Sequence, residues 1–108
     1  MNLLDETAYK ATFRDPMRRV GDDEEPSFDF WAYFETIPVV DFAGYDCSEG
    51  QVDWVWRTTD GCYEHVLINT RDDADVFMVL VLDLQAGSVF GHRILNLKKE
   101  YGIESLSV

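Results

Sequence analysis

Apolar positions follow two different periods along this chain, and the change falls near residue 51. In Ser27–Pro38 the residues Phe30, Phe34 and Ile37 fall at i, i+4 and i+7, flanked by Trp31 and Tyr33. That spacing predicts a short amphipathic helix, with Ser27 as a cap and Pro38 as its stop. Residues 3–14 carry good helix formers, a cap at Asn2 and acids Asp5 and Glu6 in the first turn. They predict a helix ended by Pro16, although its apolar stripe is weak. Val39–Phe42 reads as a short extended segment and 43–50 as a loop.

From Gln51 the period is two. Gln51–Thr58 reads as a strand, and Asp60-Gly61 as a two-residue type I′ hairpin turn leading into a return strand, Cys62–Asn69. A loop of that length sets the register. It pairs Thr59 with Cys62, Arg57 with Glu64, Trp56 with His65, Val55 with Val66 and Trp54 with Leu67. One face then holds Val52, Trp54, Trp56, Tyr63, His65 and Leu67, and should pack on the helices. The other holds Asp53, Val55, Arg57, Glu64, Val66 and Ile68, with Arg57 and Glu64 as a weak cross-strand ion pair.

Val76–Leu82 is seven apolar residues with no alternation. Such a strand is central and needs cover on both faces, from the chain or from a partner. Gln85-Ala86-Gly87 suits a three-residue hairpin loop, after which Ser88–Leu97 returns with Leu84 opposite Ser88 and Leu80 opposite His92. The expected fold is α+β: N-terminal helical segments packed on one face of a four-stranded antiparallel meander. At this length the chain reads as a single domain, with a helical and loop part over 1–50, the sheet over 51–97 and a stub over 98–108.

Composition sharpens this picture. The chain has 108 residues, 46% of them hydrophobic and 14% aromatic, too apolar for a disordered chain. Lys plus Arg number 9 and Asp plus Glu 21, so the formal charge is −12. Residues 1–50 hold 12 acids and 4 bases, hence −8, leaving −4 for the rest. Such a field repels nucleic acid and anionic membranes and favours a basic protein partner. No apolar run approaches a membrane span, and the early acids at Asp5 and Glu6 do not suit a secretory signal. Two cysteines, Cys47 and Cys62, are too few for a disulfide scaffold and fit free thiols in the cytoplasm, a single Cys47–Cys62 bridge being the alternative.

Candidate chemistry is sparse. No nucleophile elbow, phosphate loop or other cofactor motif occurs. Cys62 and His65 have a metal-like spacing but point to opposite faces of a strand. Asp72, Asp73 and Asp75 lack the glycine and closing Glu of a calcium loop. Lys10, Arg14, Arg18 and Arg19 make a basic patch that the neighbouring acids neutralise. The acid run Asp22, Asp23, Glu24 and Glu25, with Phe28 or Trp31 exposed from a crowded aromatic segment, is the candidate partner surface. In size and charge alone the chain is similar to small toxin-neutralising proteins of the immunity or antitoxin kind. Trp54, Trp56, Tyr63 and His65 could instead line a small-molecule site between helices and sheet. A homodimer covering the 76–97 hairpin and a DNA mimic are further alternatives.

Overall fold

The computed structural model describes residues 3–13, 17–19, 26–47 and 50–98. Its centre is an antiparallel sheet in simple meander order. The strands are β1 (Met17–Arg19), β2 (Val52–Thr58), β3 (Tyr63–Asn69), β4 (Val76–Asp83) and β5 (Ser88–Asn96). Four of them were legible as strands. The short β1, which pairs with β2, is an addition to the expected set. The helical pieces are α1 (Glu6–Lys10), α2 (Trp31–Phe34) and a 3₁₀ turn at Val39–Phe42. Among the described residues no helix is long and apolar enough to cross a membrane.

The β2–β3 register matches the alternation, with Arg57 opposite Glu64, Trp56 opposite His65 and Trp54 opposite Leu67. The connection itself differs. Gly61 alone takes a positive φ, 75°, and its N–H donates to Thr58 O at 3.0 Å. A type I′ turn would need positive φ at Asp60 too. The loop is therefore four residues, 59–62, closed by Thr58 Oγ1, which accepts from the N–H groups of Cys62 and Tyr63. A four-residue loop and a two-residue loop about the same centre give the same pairing, so the register survives.

Two bulges redirect side chains. Val52 pairs with Ile68 while Trp54 pairs with Leu67, so Val52 leaves the Trp-bearing face and packs with Ile68 on the other. In the β4–β5 hairpin, Leu80 opposes His92 as expected, but a shift after Val81 places Asp83, not Leu84, opposite Ser88. The loop is 84–87, where Asp83 Oδ1 accepts from Gln85 and Ala86 N–H. The shift turns Phe90 to the Trp-bearing face, where its ring lies 5.8 Å from that of Tyr63.

Cover for β4 comes from the chain itself, on both sides. Met78, Leu80 and Leu82 form one core with Phe30, Phe34 and Ile37. Phe77, Val79 and Val81 form another with Leu4 and Tyr9. Every residue from Val76 to Leu82 is at most 3% exposed. The helical pieces are thus split between the faces. The expectation that they share one face is corrected: α1 lies on the Trp-bearing side, while α2 and the 3₁₀ turn lie opposite. The physical reason is that both faces of β4 are equally apolar, and one short helix cannot cover two faces.

Both helices are shorter than the sequence pattern suggests. Asp5, not Asn2, caps α1, its Oδ1 accepting from Ala8 N–H at 2.7 Å. The helix ends at Lys10 because Thr12 folds back, its N–H and hydroxyl both donating to Tyr9 O. In α2 the Phe30, Phe34 and Ile37 stripe is buried as its spacing implies, but only one turn is α-helical. Tighter bonds from Thr36 to Tyr33 O and from Ile37 to Phe34 O carry the chain to Pro38. Val39–Phe42 is a 3₁₀ turn and not an extended segment.

Gly50 brings the loop before β2 onto the sheet. A Cβ there would lie 2.5 Å from Ile68 Cγ2 and 2.8 Å from the Asn69 carbonyl oxygen. Gly50→Ala is expected to cost about 1–3 kcal/mol, read as a lower urea midpoint. An unchanged midpoint would contradict this approach of backbone to backbone.

Candidate functional site

Three buried polar clusters tie the helical pieces to the sheet. The first surrounds Glu64, whose side chain is fully buried. Arg57 Nε and Nη2 donate to its Oε1 at 2.8 and 2.7 Å. Ser27 N–H donates to Oε2 at 2.7 Å, and Ser27 Oγ donates to Oε1 at 3.1 Å. The cross-strand pair expected from the register is present, with its carboxylate fully buried and the Arg57 side chain 24% exposed. Ser27 binds this carboxylate and does not cap α2, whose first N–H, that of Trp31, goes to Asp29 Oδ1.

The second cluster surrounds His65, which is 1% exposed. The Thr12 hydroxyl donates to Tyr9 O at 2.6 Å, so it can only accept from the ring, and His65 Nε2 donates at 2.8 Å. The Tyr9 and Phe13 rings pack on the imidazole, with centroids 5.3 and 4.7 Å away. Burial pushes His65 down to about 4, against the Thr12 contact, which raises it. The ring is neutral and sealed.

The third cluster joins α2, the 3₁₀ turn and β5 through fully buried His92. Its Nε2 donates to Asp41 Oδ2 at 2.8 Å, since a carboxylate can only accept, and its Nδ1 shares a hydrogen bond with Tyr33 Oη at 2.7 Å. Both ring nitrogens are used. The effect is to hold the Asp41 carboxylate, still 14% exposed, at a fixed point on the surface.

That point lies in a groove of about 320 Å³, between the segment leading into α1, the 3₁₀ turn and β5. Leu3, Leu4 and Asp5 form one wall, Val40, Asp41 and Ala43 another, and Arg93 and Ile94 the third. Two of its lining residues are exposed apolar side chains, Leu3 at 56% and Val40 at 82%, and Val39, next to Val40 in the chain, is 79% exposed. Ala43 sits at φ 51°, the only positive φ outside glycine among the described residues. A left-handed alanine costs about 1 kcal/mol. With Gly44 at φ 85° it ends the 3₁₀ turn and leaves Val39 and Val40 projecting. Arg93 reaches away, its guanidinium 5.6 Å over the Tyr9 ring centroid.

The residues singled out from sequence are distributed differently. Asp22, Asp23, Glu24 and Glu25 lie outside the described residues. Trp31 is 40% exposed, and Phe28 is half-buried against the α2-side core. Trp54, Trp56 and Tyr63 share the Trp-bearing face, half-buried against the α1-side core. His65 belongs to that face, but Tyr9 and Phe13 fill the space over it. Trp56 Nε1 is buried without a hydrogen-bond partner among the described residues. Both cysteines are free, and burial, aided by Asp46 and Asp72, pushes the Cys47 thiol up to about 11. The described residues bring no group of three or more His, Cys, Asp or Glu together around a metal position.

The groove was not found from sequence. Its one local signal is the apolar pair Val39-Val40 between Pro38 and Asp41, a composition equally consistent with an extended segment. Compared with known proteins, the chain matches no family model, no curated protein and no solved structure.

Because folded His65 refuses a proton that the unfolded chain takes up below about pH 6.5, stability falls as pH drops toward 4. The loss between about pH 7 and about pH 5 is expected to be about 2 kcal/mol. Urea midpoints measured across that range should fall for the native chain and fall less for His65→Gln. Parallel profiles for the two would contradict the buried neutral ring.

Proposed function

We propose that this chain is a small acidic interaction module that binds a basic protein in the cytoplasm, as a toxin-neutralising protein of the immunity or antitoxin kind does. The observation that carries the reading is the co-location of exposed Leu3 and Val40 with Asp5 and Asp41 around one groove, with exposed Val39 next to Val40, in a chain of charge −12. Single exposed apolar residues are ordinary on any surface. Leu3 and Val40 lining one open groove, with Val39 and Val40 on a turn ended by a left-handed alanine, fit a contact patch better. The sequence adds the acids of Asp22, Asp23, Glu24 and Glu25 to the chain's negative charge, and Trp31 is a further exposed apolar side chain that a partner can use. The two free thiols support a reducing compartment.

A neutraliser and its target are expected to be neighbours in the genome. A basic protein encoded in the adjacent reading frame is expected to associate with the purified chain, and calorimetry should show affinity falling about tenfold or more between about 50 and about 300 mM salt. Val39→Lys with Val40→Lys should weaken binding by a similar factor while leaving the urea midpoint unchanged, since neither side chain is packed. Absence of association, or equal affinity for the lysine variant, would overturn the reading.

A further inference from the structure

Among the described residues the sheet ends at β5, so one side of this strand's main chain faces no further long strand among them. Main-chain groups alternate in direction along a strand. His92 O accepts from Leu4 N–H at 2.8 Å on the outer side, while Leu97 N–H reaches Asp75 O on the inner side. From His92 onward the even-numbered residues therefore turn their N–H and C=O outward. The chain uses this edge at His92, through the parallel bridge with Leu3. The next outward residue is Ile94. There the N-terminal segment has already left the ladder: the next parallel bonds would join Ile94 N–H to Leu4 O and Glu6 N–H to Ile94 O, and Glu6 instead begins α1 behind its Asp5 cap. Among the described residues no main-chain bond is made to Ile94 on its outer side. The groove opens at this interruption, with Ile94 in its wall.

We infer that the groove takes an extended segment of a basic protein, which adds to the sheet edge at Ile94, sets an apolar side chain between Leu3 and Val40 and places a Lys or Arg at Asp41. Main-chain pairing supplies the anchor, and the side-chain contacts supply the selection. Charge favours a cation on this side. Among the described residues of the lining Arg93 is the one cation, and its side chain lies over Tyr9, on the face of β5 opposite to His92 and Asp41. A central strand is not needed for this role, and an edge left partly open is where added strands bind. The inference rests on the proposed binding of a basic partner and names how that partner docks.

The test uses ¹⁵N-labelled protein and three short probes: acetyl-Val-Lys-Val-Lys-Val-amide, the same peptide N-methylated at its central valine, and its glutamate counterpart. The lysine peptide should bind with a dissociation constant on the order of millimolar. It should shift the amides of Leu4, Asp5, Asp41 and Ile94 and slow hydrogen exchange at Ile94. The N-methyl peptide should bind about tenfold more weakly, and the glutamate peptide should leave those amides in place. Equal binding of the N-methyl peptide, or unchanged exchange at Ile94, overturns edge addition while leaving salt-sensitive binding of the basic probe, and so the proposed function, intact. Equal binding of the glutamate peptide overturns both.

Discussion

The structure depends on one constraint: β4 has no polar face. Seven consecutive apolar residues, Val76–Leu82, leave a strand that water cannot touch on either side. Antiparallel sheets commonly keep one face solvated, and this one cannot at its centre. The N-terminal half must therefore divide. Leu4 and Tyr9 go to one side with α1, and Phe30, Phe34 and Ile37 go to the other with α2. Neither helix is long enough to be stable alone, so each draws its stability from the apolar face it covers.

Division creates joints, and the joints are polar. Each helical piece is tied to the sheet by a buried hydrogen-bonded side chain: His65 to Thr12, Glu64 to Ser27, and His92 to Tyr33 and Asp41. Such groups cost free energy unless their partners are in place, so they specify where each piece sits as much as they hold it there. The groove is a consequence of the same arrangement. It lies where the segment entering α1 parts from β5 and the 3₁₀ turn of the other layer comes past the sheet edge, with Asp41 fixed in it by a histidine from the core.

The strands were legible because their signal is local. Alternation in 51–58 and turn residues at 60–61 and 85–87 are enough to place four strands, and loop parity protected the β2–β3 register when the turn type was misread. The stripe of Phe30, Phe34 and Ile37 was legible for the same reason. What could not be read was anything that one part of the chain imposes on another. Both faces of β4 offered apolar surface, so nothing local told α1 and α2 to separate. The length of α1 is set by a hydroxyl that also serves His65, 53 positions away. The bulge at Asp53 carries no glycine, while the one at Phe90 has Gly91 beside it, and the two change which face Val52 and Phe90 occupy. The groove joins residues from positions 3–5, 40–43 and 93–94, and its fixed carboxylate depends on a histidine 51 positions further on.

The central claim, that β4 is sealed on both faces by its own chain, is tested most directly by native-state hydrogen exchange. Amides of Met78–Val81 should exchange only through complete unfolding, with the free energy found by urea denaturation and with no dependence on protein concentration. Rapid exchange at these positions, or protection that grows with concentration, would show that one face is open or is covered by a second molecule, and would contradict the account.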